Sequence, residues 1–264
     1  MLLDQSHFFA PNFQMKHIYA LLLSLCLAGP SLAADRMDEK TEDFVAANMI
    51  AIFYHELGHA LIDIMKLPIF GQEEDAADVL SAVLIDDFFT GQTAIRIAYA
   101  TAFGFLGDTD LNSARNRDVA YWDVHGPDLQ RYYTFVCLFY GAKPEEREEV
   151  AQKLKLPKGR KGTCKDEFAQ AKRSWGPVID GLIANGSGKT IRFLADHRVD
   201  DYGKLAADVI AREVKAMNKD MSLPKRLLVR VEACDTVNAF YNAKTREITM
   251  CTEFSEWLAG VVPK

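Results

Sequence analysis

Within Ile52-Phe53-Tyr54-His55-Glu56-Leu57-Gly58-His59-Ala60-Leu61, two histidines stand four residues apart, with a glutamate directly after the first. On a helix, positions i and i+4 share a face, so His55 and His59 can aim both imidazoles at one metal ion. Glu56 then sits beside that ion without ligating it, placed to take a proton from a water held there. The chemistry such a trio suits is metal-assisted hydrolysis. The flanks agree: Phe53, Tyr54, Leu57, Gly58, Ala60 and Leu61 are uncharged. A metal helix buried in a cleft needs that, because stray charges there are unpaired or compete for the ion.

A catalytic zinc takes three protein ligands and keeps one position open. Downstream, Glu73-Glu74-Asp75-Ala76-Ala77-Asp78 places Glu74 and Asp78 on one face of a second helix. Glu73 and Asp75 lie on neighbouring faces and read as solvated acids at a helix N-terminus, where the dipole favours negative charge. The arrangement resembles the second metal helix of the gluzincins, the thermolysin-like and related zinc peptidases. That resemblance implies Glu74 as third ligand of a Zn2+ ion. It implies Asp78 as hydrogen-bond partner of the outer nitrogen of His55, fixing its tautomer. The metzincin pattern, a third histidine soon after a glycine, is absent.

FYHELGHALID together with LPIFGQEEDAADVL also resembles a more specific group, the bacterial secreted "putative metallopeptidase" family, a domain of unknown function. Trp122-Asp123-Val124-His125-Gly126-Pro127-Asp128-Leu129-Gln130-Arg131, Asn238-Ala239-Phe240-Tyr241-Asn242 and Arg246-Glu247-Ile248-Thr249-Met250-Cys251 carry further likeness. Together these stretches span most of the chain after its leader. The resemblance implies a zincin-like fold and metal site more directly than a substrate.

Residues 1–33 read as a signal peptide, set aside before any fold reasoning. Met15-Lys16-His17 opens a positive segment, Ile18 to Ala28 is an apolar run, and Ser31-Leu32-Ala33 supplies small residues at a cleavage site after Ala33. The run is short for a membrane span. Residues 1–14 lack signal character, so translation starting at Met15 fits as well as at Met1. Leu25 before Cys26 is too bulky for a lipoprotein box. About 230 residues remain, enough for one domain with a sizeable core. The formal net charge of -6 is unchanged by removing the leader, because Asp4 and Lys16 cancel. No strongly basic face is implied, which argues against nucleic acid as a partner. Outside the leader stand Cys137, Cys164, Cys234 and Cys251, an even number suited to an oxidising compartment. Of three possible pairings, Cys137 with Cys164 and Cys234 with Cys251 each close a moderate loop within one structural unit, and this pairing is expected.

The elements that must position the trio follow from periodicity and punctuation. A helix is expected from Thr41 to Met65, ended by Lys66-Leu67-Pro68, with Gly71 in the turn that folds Glu74 back onto the histidine face. Helices follow from about Glu73 to Phe89, Gln92 to Phe105, Asp128 to Tyr140, across Pro144 to Val150, and from about Lys165 to Leu182. Asn185-Gly186-Ser187-Gly188 is a linker. Gly186-Ser187-Gly188-Lys189-Thr190 echoes a phosphate-binding loop, but it lacks the glycine spacing and precedes a strand, so nucleotide binding is rejected. Thr190 to Leu194 and Leu227 to Val231 read as strands, Tyr202 to Met217 as a helix, and Phe240-Tyr241 with Arg246 to Met250 as a hairpin.

Peptide hydrolysis passes through an oxyanion, which a His, Tyr or Arg beside the metal commonly stabilises. His125 is the first candidate for that donor; capping the next helix, or bonding Asp123 or Asp128, is the plainer alternative. Arg131 is a weaker candidate that pairs equally well with those carboxylates, and His197 reads as a loop residue. The expected fold is α+β and mostly helical: zincin-like metal helices with a small C-terminal antiparallel sheet. It forms a single domain over 34–264, helical over 41–185 and α/β over 189–264. The expected function is a periplasmic or secreted zinc peptidase acting on a peptide or protein, with Glu56 as general base. The contrasting reading is a zinc-stabilised periplasmic binding protein that turns nothing over.

Overall fold

The computed structural model describes residues 37–114, 118–196 and 199–263. The expected leader and cleavage site, and His197, lie outside the described residues. Among the described residues, eight helices and four strands run in the order α1 (Glu39–Met65), α2 (Glu73–Phe88), α3 (Gly91–Ala114), α4 (Asp128–Ala142), α5 (Pro144–Lys153), α6 (Lys158–Ala184), β1 (Ile191–Ala195), α7 (Asp201–Asp220), β2 (Leu227–Glu232), β3 (Ala239–Asn242), β4 (Glu247–Cys251) and α8 (Thr252–Gly260). The architecture is α+β and mostly helical, as expected.

The helix α1 is the hub. Asp38 caps it by accepting from the Thr41 backbone N–H at 3.0 Å, satisfying one donor that the first turn leaves unpaired. It ends where Lys66 turns left-handed at φ 55° and its N–H reaches the carbonyls of Ile62 and Asp63. Pro68 follows, and the short loop sends α2 back antiparallel along α1. α1 is long and apolar enough to cross a membrane by composition. Its apolar side chains are instead spent inside the fold: Val45, Met49, Phe53, Tyr54, Leu57 and Leu61 are fully buried, packed among α2, α3, α7, α8 and the strands β3 and β4.

The C-terminal sheet has the order β1-β2-β4-β3. It is mixed: β1 and β2 pair in parallel (Ile191 with Leu227), as do β2 and β4 (Val229 with Ile248), while only β3 and β4 are antiparallel (Tyr241 with Ile248). The antiparallel sheet read from the sequence is corrected here. The 20-residue crossover helix α7 returns the chain to the same end of the sheet, which forces a parallel neighbour. Strand β2 alternates, with Leu227, Val229 and Val231 buried. Three further bounds differ. α3 continues to Ala114, α6 begins at Lys158, ahead of the expected Lys165, and α8 was not foreseen. Both expected disulfides are present: Cys137–Cys164 joins α4 to α6, and Cys234–Cys251 ties the segment after β2 to the end of β4.

Candidate metal centre

The close approach of α1 and α2 begins with a missing side chain. A Cβ on Gly58 would lie 2.8 Å from the Ala77 Cα, so glycine inside the first motif and alanine inside the second let the two backbones nearly touch. Around that contact the helices trade side chains in antiparallel order. The His55 Nδ1 lies 2.8 Å from Asp78 Oδ1, and one turn along α1 the His59 Nδ1 lies 2.8 Å from Glu73 Oε1. A carboxylate can only accept, so both outer nitrogens carry the proton and donate it. With the outer nitrogen so held, each inner nitrogen, Nε2, is the one placed to offer its lone pair to a metal.

Those two Nε2 atoms stand 3.2 Å apart, and each lies 3.2 Å from Glu74 Oε2. From the opposite wall the Nε2 of His125 comes to 2.9 Å of the same oxygen. Glu74 Oε2 is buried, and none of these nitrogens is aligned to donate a hydrogen bond to it. Lone pairs of two imidazoles and a carboxylate therefore face one point instead of one another. Separations of this size suit donors about 2.0–2.2 Å from a common tetrahedral ion. By donor chemistry, by spacing and by the orphaned carboxylate oxygen, the residues fit a divalent metal. Two imidazoles and one carboxylate oxygen are the borderline donor set that zinc takes.

The surroundings hold this geometry in place. Arg131 clamps Asp78 through two bonds, Nε to Oδ2 at 2.8 Å and a terminal nitrogen to Oδ1 at 2.9 Å, while its guanidinium lies over the Phe105 ring. Burial alone raises the Asp78 pKa, yet Arg131 and His55 hold that carboxyl well below the usual range. Glu74 behaves likewise: burial raises it, and the three histidines pull it far down. For His55, burial acts downward, but Asp78 and Glu74 outweigh it and lift the group to about 9. His125 is raised chiefly by Glu74. Glu73, Glu74 and Asp75 stand in the first turn of α2, where the helix dipole favours negative charge.

Glu56 is 5% exposed. Burial raises its pKa above the ordinary carboxylate value, against the downward pull of His55 and His59. Raising the pKa of a carboxylate makes it a stronger proton acceptor. It faces two cavities that meet at His55, Glu56, His125, Asn238 and Ala239. The outer one, about 740 Å³, follows α1 toward its C-terminus past His59, Ile62 and Asp63 and is bordered by β3. The inner one, about 660 Å³, runs the other way along α1 past Ile52, Ala51 and Asn48. Strand β3 closes the sheet on this side and is fixed to α1 by the Tyr241 hydroxyl, which donates to Asp63 Oδ2 at 2.8 Å.

The sequence-derived residues His55, Glu56, His59, Glu74, Asp78 and His125 thus come together. His125 is held at its backbone by Asp123, whose Oδ1 accepts from the His125 N–H at 3.1 Å. Arg131 pairs with Asp78. Glu73, read from the sequence as a solvated acid, is the partner of His59. Its signal was partial: in an antiparallel helix pair, one turn forward from His55 to His59 is about one turn back from Asp78, which arrives at Glu74, and Glu73 is the next residue.

The two packed helices bring the H-E-x-x-H stretch and the acids of α2 to one point, an arrangement of donors that fits a metal ion. More particularly, the chain belongs to the family described as "Putative metallopeptidase", whose profile matches residues 8–179 and 201–262. Comparison with the curated proteins and with the solved structures finds no match to either.

Proposed function

We propose that this chain is an exported zinc-dependent peptidase, with His55, His59 and Glu74 holding the ion and Glu56 as general base. The observation that carries the reading is the buried Glu74 Oε2, faced by imidazole nitrogens at 2.9–3.2 Å with no hydrogen bond made. When bound, the metal supplies Lewis acidity, polarising the scissile carbonyl and making a water easier to deprotonate.

The protein supplies the rest. Glu56 takes a proton from the attacking water as its oxygen bonds to the carbonyl carbon. It then passes that proton to the amine nitrogen as the C–N bond breaks. His125, whose Nε2 reaches the same point from the facing loop, stabilises the negative oxygen formed between those steps. Strand β3, an edge strand among the described residues and bordering the outer cavity, suits an extended peptide added as a further strand. Export is supported by the leader and by the two disulfides, which belong to oxidising compartments.

One observation favours a second reading. His125 Nε2 stands near enough to Glu74 Oε2 and to His55 to serve as a fourth ligand, and a four-ligand ion is a closed, structural one. That describes the zinc-stabilised binding protein. Glu56 argues for the first reading, since a structural ion has no use for a buried base beside it. The test is paired. Glu56→Gln is expected to keep its metal and lose at least about 100-fold in peptide hydrolysis, with His125→Ala keeping its metal as well. Metal lost from His125→Ala, with no turnover by wild type, contradicts the peptidase.

A further inference from the structure

The two disulfides differ in setting. Cys137 and Cys164 are both fully buried, between α4 and α6. Cys251 is buried as well, but its partner Cys234 is partly exposed, at the start of the link from β2 to β3. That link has no core anchor of its own, since none of the residues 233–238 is buried. It is held instead at the junction of β4 and α8. The Glu253 carboxylate accepts from the Cys234 N–H at 3.0 and 3.1 Å and from the Asp235 N–H at 2.6 Å. The Cys251 N–H donates to the Asn238 carbonyl at 3.2 Å. The far end of the link is a wall of the centre: Asn238 and Ala239 border both cavities beside Glu56 and His125, and β3 begins there.

We propose that Cys234–Cys251 is a thiol–disulfide exchange site for a dithiol reductant, and that the state of this bond sets the position of β3 at the metal centre. Disulfides open to solvent are the ones that exchange. The reductant's thiolate attacks Cys234 Sγ, on the partly exposed residue of the pair, and Cys251 leaves as a thiolate that takes up a proton. The reductant's second thiol then displaces Cys234. The dithiol ends as a disulfide, and two electrons and two protons have passed to the cysteines. The hydrogen bonds that remain hold an exposed link on which water competes, so the Asn238 wall loosens. His55, Glu56, His59 and Glu74 lie on α1 and α2, outside this link, and keep their arrangement. The effect on hydrolysis rests on the peptidase reading; the exchange site does not.

The test treats the zinc-loaded protein with graded dithiothreitol, traps free thiols with iodoacetamide and maps them by mass spectrometry. Beside it runs the double variant Cys234→Ser, Cys251→Ser, which removes the bond with no reductant present. Labelling of Cys234 and Cys251 is expected at about tenfold less dithiothreitol than that of Cys137 and Cys164. In the double variant, zinc per chain should be unchanged and hydrogen exchange of the β3 amides faster than in wild type. On the best-cleaved member of a blocked peptide library, kcat/KM should fall about 10- to 100-fold, mostly through KM. If the variant does not fold, wild type alkylated at the dithiothreitol level that opens only the first pair is read instead. Labelling of both pairs together, or of Cys137 and Cys164 first, overturns the exchange site. Unchanged β3 exchange, unchanged KM, or zinc lost with the bond overturns its control of the centre through β3. Cleavage of no peptide by wild type overturns the peptidase alone, and labelling order with β3 exchange then decides this inference.

Discussion

At the scale of single residues, the centre is made by proton placement. Asp78 and Glu73 each hold the outer proton of one histidine at 2.8 Å, and that turns both inner nitrogens toward the proposed metal position. Removing either partner frees the tautomer, so Glu73→Ala and Asp78→Ala should each weaken metal affinity about 10- to 100-fold in a chelator competition. They should differ in stability. Glu73 is half-exposed and its loss leaves the fold intact, while loss of Asp78 strands Arg131 without its partner, at a cost of about 3 kcal/mol in denaturant unfolding. Equal stability of the two variants contradicts this division. From sequence, spacing alone exposed His55, Glu56 and His59, because period 3.6 is a local property. The partners of Arg131 were not legible, because Asp78 and the acids nearer to it in sequence are equally good acceptors until the helices pack.

At the scale of elements, α1 and α2 work as one part, and Gly58 against Ala77 is the hinge point of their packing. Gly58→Ala pushes into the Ala77 backbone and should cost about 1–3 kcal/mol with a loss of metal affinity. Gly181→Ala is the matched control, exposed on α6 with nothing within 4 Å of a new Cβ. It should gain about 1 kcal/mol by helix propensity and leave metal binding alone. Thermal melts and chelator competition on the same samples check both. The helix pair was readable because Pro68 and Gly71 punctuate it and the loop is short. Strand direction was not, since parallel pairing of β1 with β2 depends on where α7 returns the chain. Helix α8 escaped notice because Thr252–Gly260 is short and follows a strand with no breaker between them.

At the scale of the whole molecule, the candidate site lies where the helical part meets the sheet, with α1 contributing His55, Glu56 and His59 on one face and core on the others. One buried contact on its far side sets a pH dependence. Tyr54, fully buried, donates to Glu213 Oε2 at 2.7 Å, and burial raises the Glu213 pKa. The folded chain therefore holds that proton more tightly than the unfolded one. The resulting stability is fully present below the ordinary carboxylate pKa and is lost as pH rises through the raised value. Glu213→Gln should accordingly melt higher than wild type at pH 8, with the gap closing toward pH 4; a gap that widens on acidification contradicts the assignment. The account as a whole depends on the metal centre, so elemental analysis of the purified protein beside His59→Ala tests it most directly. The expected result is about one zinc per chain in wild type, lost in the variant. No metal in either after metal-replete purification contradicts it.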